Sequence, residues 1–99
     1  MDIKGKKAIV TGAAKGIGKG IALKLAEYGA DLSLIDIDEA ALAEAEAEVK
    51  NKYGVETMCL KVDVASLEQT KMMVEKTLDK FGRIDILVNN VGWDVAQPF

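Results

Sequence analysis

The sequence predicts an α/β fold built on a parallel sheet, and three observations point to it. Four short apolar runs occur along the 99 residues, each ending in polar or glycine-bearing residues. Segments with helical spacing separate those runs, so strand and helix alternate. The first run, Ala8-Ile9-Val10, opens directly into the glycine-rich turn Thr11-Gly12-Ala13-Ala14-Lys15-Gly16-Ile17-Gly18. Strands joined by helices pair in parallel through right-handed crossovers.

Each element has a local reason. After the turn, Ile17, Ile21, Leu25 and Tyr28 recur at helical spacing, and Gly29 sits where a left-handed C-terminal cap is wanted. Leu32-Ser33-Leu34-Ile35 is a short strand ending at Asp36. Asp38 is a good N-cap for a second helix, with Leu42, Ala45, Val49 and Tyr53 on one face and Gly54 at its end. The Glu44, Glu46 and Glu48 alternation mimics a strand, but alanine and glutamate are strong helix formers. Those carboxylates read as a solvated face. They are not read as metal ligands, because residues two apart on a helix do not face each other. Val55 to Val62 reads as a third strand, ending at Asp63-Val64. Ser66 and Gln69 form a capping box for a third helix, whose expected buried face is Leu67, Val74, Leu78 and Phe81. Met72 and Met73 read as core filler, and Gly82 closes the helix. Ile84 to Val88 is the fourth strand and runs into Asn89-Asn90-Val91-Gly92.

The alternation amounts to just over half of a Rossmann-type, doubly wound sheet: four strands in expected order 3-2-1-4 with three helices. Ligands of such sheets bind beyond the carboxyl ends of the strands, where the strand order reverses. Thr11–Gly18, Asp36, Asp63-Val64 and Asn89–Gly92 all fall at those ends. The glycine turn suits a phosphate, since glycines allow close backbone approach and the first helical amides lack intrahelical partners. A P-loop is excluded, because Gly18-Lys19 would need glycine at Ala13 and a hydroxyl at Gly20. The Gly-x-Gly-x-x-Gly fingerprint also fails, since Ile21 stands where its third glycine belongs. Alone, the stretch also fits an ordinary tight turn. Asp36, Asp63, Asn89 and Asn90 likewise fit turn or cap chemistry when taken singly.

Composition narrows the classes. The net charge is −3, with 13 basic residues and no basic block, which argues against a nucleic-acid surface. Histidine is absent, which removes imidazole acid/base chemistry and His-containing metal sites from this chain. The single Cys59 cannot form an internal disulfide and fits a reducing, cytoplasmic setting. The apolar stretch behind the basic start is too short for a signal peptide, and no window matches a membrane span of about 20 apolar residues.

Taken together, Thr11-Gly12-x-x-x-Gly16-Ile17-Gly18, Asp36, Asp63-Val64 and Asn89-Asn90-Val91-Gly92 resemble the short-chain dehydrogenase/reductase family over positions 11 to 92. The resemblance implies that Gly12, Lys15, Gly16, Ile17 and Gly18 wrap the adenosine ribose and pyrophosphate of a nicotinamide dinucleotide. It implies that Asp63 and Val64 contact adenine, and that Asn90 and Gly92 lie along the cofactor. Val91 departs from the family's alanine, which bears on contact detail only. Asp36 lies where a carboxylate accepts from both ribose hydroxyls, so NAD(H) is expected over NADP(H). Lys15 resembles the NADP-preferring members and partly offsets that repulsion.

The family's catalytic serine and Tyr-x-x-x-Lys have no counterpart here: Leu32 follows Tyr28 at four residues, and Thr57 follows Tyr53. Residues 1–99 therefore read as the N-terminal part of one NAD(P)-binding domain, truncated before the catalytic segment. The expected function is that of an oxidoreductase moving hydride between nicotinamide and a small alcohol/carbonyl substrate, a homo-oligomer when full length. Gly92-Trp93-Asp94 with Pro98-Phe99 resembles the loop of members acting on hydroxyacyl-CoA thioesters. The alternative is a non-catalytic dinucleotide-binding module, redox-sensing or structural. A serine and Tyr-x-x-x-Lys further along would separate the two.

Overall fold

In the computed structural model, which describes residues 2–90, β1 (Lys7–Thr11) is the central rail of a four-stranded sheet. Around it follow α1 (Gly16–Glu27), β2 (Asp31–Asp36), α2 (Glu39–Tyr53), β3 (Thr57–Lys61), α3 (Leu67–Phe81) and β4 (Ile86–Val88). The strand order is β3-β2-β1-β4 and every pairing is parallel, as the alternation predicts. β3 and β4 are one or two residues shorter at each affected end than their apolar runs, a common disagreement at element boundaries. β4 has a strand partner on one side only among the described residues. No helix among them is long and apolar enough to cross a membrane.

The pleat divides the strand side chains between two layers. Ala8, Val10, Leu32 and Leu34 pack with Ala22, Ala26, Leu42 and Val49 of α1 and α2. Ile9 and Ile35 face the opposite way and pack with Val62 and with Met73 of α3. Each fully buried leucine, isoleucine or valine contributes about 1.5–3 kcal/mol. Helices on both faces of a parallel sheet make the fold doubly wound.

Two helices bury different faces from those their apolar spacing predicts. α1 buries Gly18, Ala22 and Ala26, while Ile17 and Tyr28 stand exposed. A line of small residues four apart brings the α1 backbone close to the sheet, which a leucine stripe would prevent. α3 docks through Met73 and Thr77, and Leu67 and Leu78 are exposed. Leu67, Val74, Leu78 and Phe81 form a coherent stripe, but it lies roughly a quarter turn from the docking line. Thr77 is buried because its hydroxyl lies 2.9 Å from that of Ser33 and donates to Met73 O at 2.8 Å.

Of the α2 glutamates, Glu44 is exposed as expected, whereas Glu46 and Glu48 are only partly so. Glu46 Oε2 accepts from Thr57 Oγ1 at 2.8 Å, and Glu48 pairs with Lys19 and Lys52. Beside Glu46, burial pushes the half-buried Cys59 thiol up to about 12, and the Glu46 charge adds to the shift. Only the thiolate is nucleophilic, so the raised pKa leaves far less of the reactive form than an ordinary thiol has. Iodoacetamide is expected to alkylate native Cys59 far more slowly than the urea-unfolded chain. Equal rates would show that the thiol is not held in this way.

At the amino ends of the strands, Lys7 pairs with Asp31, and Asp85 accepts from the Lys7 N–H at 2.8 Å. The opposite, carboxyl ends carry the residues of interest.

Candidate cofactor site

The glycine turn leaves β1 through Gly12 and enters α1 through Gly16, both at φ +63°, a conformation that side chains disfavour. Between them, the Ala13 N–H donates to Ile35 O at 3.0 Å, so the turn rests on the end of β2. Gly18 is buried under it. A Cβ there would fall inside contact distance of Gly12 O and 2.7 Å from Asn90 Nδ2. Only a hydrogen fits between the helix and the turn.

The three helix starts are not alike. Asp38 caps α2 by accepting from Ala41 N, and Ser66 caps α3 by accepting from Gln69 N. Glu39 and Glu68 add an acid to those first turns. At α1 the N-cap is Lys15, no side chain caps the amides, and the first turn holds no acid. Its positive dipole end is left open beside the glycines, an arrangement suited to an anion.

The other strand ends close around this turn. Thr11 Oγ1 accepts the Asn90 N–H at 2.8 Å and shares its own proton between Val88 O and Asn89 Oδ1. That hydroxyl fastens the exit of β4 to the exit of β1. At the end of β2, Asp36 Oδ2 accepts the Ala14 N–H and Oδ1 accepts the Asp38 N–H, both at 3.0 Å. Each carboxylate oxygen has lone-pair capacity left for a ligand. Gly12, Ile35, Asp36, Ile37, Val62, Asp63 and Val64 line a cleft of about 100 Å3. It is a mostly apolar slot with Asp36 and Asp63 in its lining, next to the open helix end.

Of the residues singled out from sequence, Gly12, Asp36, Asp63 and Val64 line this cleft, and Gly16, Ile17 and Gly18 form the helix start beside it. Asn90 lies against Gly18. Lys15 reaches sideways, its Nζ 3.6 Å from Asp38 Oδ2 in an exposed pair. Such pairs contribute about 0–1 kcal/mol, so the ammonium remains available to another anion. Gly92 lies outside the described residues, as do Val91, Trp93, Asp94, Pro98 and Phe99. Ile37 was not among the predicted site residues, and Thr11 entered only as the first residue of the glycine-turn motif, with no role given to its hydroxyl. An exposed isoleucine between two acids is a faint sequence signal for the first. For the second, only its place at a strand end marks the hydroxyl.

A model of the short chain dehydrogenase family matches residues 6–99. The chain is 44% identical over 93 residues to a diacetyl reductase [(S)-acetoin forming] of Staphylococcus epidermidis, covering 94% of this chain and 36% of that protein. Among solved structures, it superposes on an NAD+-bound xylitol dehydrogenase with a TM-score of 0.89 at 41% identity, covering 94% of this chain and 35% of the other. It superposes equally closely, at TM-score 0.88 and 37% identity, on the L-sorbose reductase of Gluconobacter frateurii complexed with NADPH and L-sorbose, covering 100% of this chain and 40% of that one. The chain thus spans little more than a third of the length of these proteins.

Proposed function

This chain belongs to the short chain dehydrogenase family, and we propose that its strand carboxyl ends hold the adenosine and pyrophosphate half of a nicotinamide dinucleotide. The observation that carries the reading is the uncapped α1 start above two left-handed glycines, beside a cleft walled by Asp36 and Asp63. The residues fit such a guest. A Cβ at Gly16 would meet nothing within 4 Å, so space is open above the turn for a pyrophosphate. Ile37 and Val64 offer apolar walls to a base, and Asp36 offers acceptors to a ribose diol. The exposed Ile17 side chain is one the cofactor would cover.

Bound nicotinamide supplies or accepts the hydride exchanged with an alcohol/carbonyl carbon. The part played by this chain is to bind and orient the dinucleotide. No Tyr-x-x-x-Lys occurs among residues 1–99, so the proton-transferring tyrosine and lysine are assigned to the whole enzyme and not to this chain; that enzyme is read as cytoplasmic and homo-oligomeric. NAD(H) is the assigned cofactor, because Asp36 repels a 2′-phosphate. The substrate assigned by the Trp93 loop is a hydroxyacyl-CoA. That finer reading fails if Trp93→Ala in the whole enzyme, catalytic tyrosine and lysine included, leaves kcat/KM unchanged across hydroxyacyl-CoA substrates.

The binding reading is tested by titrating NADH into the protein and following nicotinamide fluorescence. Saturable binding at one site per chain is expected, whereas a linear response would overturn the reading. Residues 1–99 alone are expected to reduce no NAD with any alcohol. Steady NADH production proportional to their concentration would show an unrecognised active site.

A further inference from the structure

The loop between β3 and α3 is held by more than an ordinary cap. Ser66 Oγ accepts the Gln69 N–H at 3.2 Å, which is the N-cap bond. In a capping box the glutamine would accept in return from the N-cap N–H. Here the Ser66 N–H donates instead to Asp63 O at 2.9 Å. Gln69 Oε1 reaches three residues further back and accepts the Asp63 N–H at 2.8 Å. Asp63 Oδ1 accepts the Ala65 N–H at 2.9 Å. Three of the four polar atoms of Asp63 are thereby committed to the loop itself. The fourth, Oδ2, has no partner among the described residues, and Asp63 lines the cleft.

The helix that delivers Gln69 is itself fixed on the sheet. Eight residues later, about two turns, Thr77 lies 2.9 Å from the buried hydroxyl of Ser33 and donates to Met73 O. The pair resists sliding, because a shift of α3 would leave the buried Ser33 hydroxyl without its partner. The register of α3 therefore carries through to the amide oxygen that holds Asp63.

We propose that Gln69 is a positioning residue for base recognition: by holding the Asp63 backbone, it aims the free carboxylate oxygen at an exocyclic amino group of a purine in the cleft. The site thereby favours an adenine dinucleotide over one whose base carries a carbonyl at that position. This rests on the reading that the adenosine half lies between Gly12 and Val64. Gln69 does not touch the base, and it acts through Asp63. A side chain serving only the helix cap would affect both dinucleotides alike.

The test compares dissociation constants for NAD and for nicotinamide hypoxanthine dinucleotide, in which a carbonyl oxygen replaces the amino group. The wild-type protein is expected to favour NAD by about tenfold, the scale of one hydrogen bond to a charged group. Gln69→Leu, and Gln69→Ala as a smaller replacement, are expected to bring that ratio towards one by weakening NAD alone. Gln69→Glu retains the accepting oxygen and is expected to keep the ratio. Circular dichroism identifies any variant that fails to fold, and the remaining variants then decide. A full ratio in the folded Leu or Ala variant, or an equal loss of both ligands, overturns the proposal. Wild-type binding without discrimination overturns it while leaving the dinucleotide reading standing. Absence of saturable binding to the wild type overturns both.

Discussion

Gly18→Ala is expected to weaken dinucleotide binding by about a hundredfold, the affinity equivalent of the 1–3 kcal/mol that overpacking typically costs. The added methyl has nowhere to go. It would press on Gly12 O, which belongs to the turn, and on the Asn90 side chain behind it. Either the turn lifts or α1 backs away, and both movements re-aim the open amides that an anion would meet. Gly20→Ala is the matched control. A Cβ at Gly20 meets nothing within 4 Å, and the residue lies within α1. That variant is expected to bind normally and to gain roughly 0.5–1 kcal/mol of stability from restricted backbone freedom. Titration of NADH into both proteins, with thermal unfolding alongside, checks the pair. Normal binding by the Gly18 variant would contradict the close-packed turn.

The second large effect concerns Asp36. The wild-type protein is expected to bind NAD(H) more tightly than NADP(H), because a like-charge contact in a partly dry site costs several kcal/mol. The structure changes how the usual variant must be read. Asp36 also accepts the Ala14 and Asp38 N–H groups, so alanine removes support from the glycine turn as well as the charge. Asp36→Ala is therefore expected to weaken both cofactors, NAD(H) more, and to lower their ratio about tenfold or further. Asp36→Asn retains one carbonyl acceptor. It is expected to lower the ratio while losing less absolute affinity than the alanine variant. Lys15 is then the cation beside the turn that a 2′-phosphate can meet, so Lys15→Ala in the Asp36→Asn background is expected to weaken NADP(H) selectively. Tighter NADP(H) binding by the wild type, or an unchanged ratio in both Asp36 variants, would contradict the assignment.

What was legible in the sequence was legible through punctuation and charge. Gly12, Gly16 and Gly18 follow one apolar run and the acids Asp36 and Asp63 follow two others directly, and it was this conjunction, each part weak alone, that brought out strand ends and candidate site together. Parallel order followed from the alternation alone. Helix faces were harder. The α1 contact is made by Gly18, Ala22 and Ala26, whose smallness permits close approach but leaves little hydrophobic signal. In α3, the larger leucines drew attention to a flank, whereas Met73 and the polar Thr77 make the contact. Thr77 could not be assigned to the interior without knowing that Ser33 stands opposite, a pairing 44 residues apart. The second duties of Asp36 and Gln69 were hidden for the same reason. Each depends on a backbone N–H whose position only the folded turn defines.

Hydrogen–deuterium exchange of the protein with and without saturating NADH tests the central claim most directly, because it reads where the ligand sits without relying on a variant. Slowed exchange is expected in four segments: residues 12–20 in the glycine turn and α1, 36–38 after β2, 63–66 after β3, and 89–90 after β4. Exchange at the opposite ends of the strands, around Lys7, Asp31 and Asp85, should be unchanged. Protection at those amino ends, or saturable binding that leaves residues 12–20 exchanging as before, would contradict it.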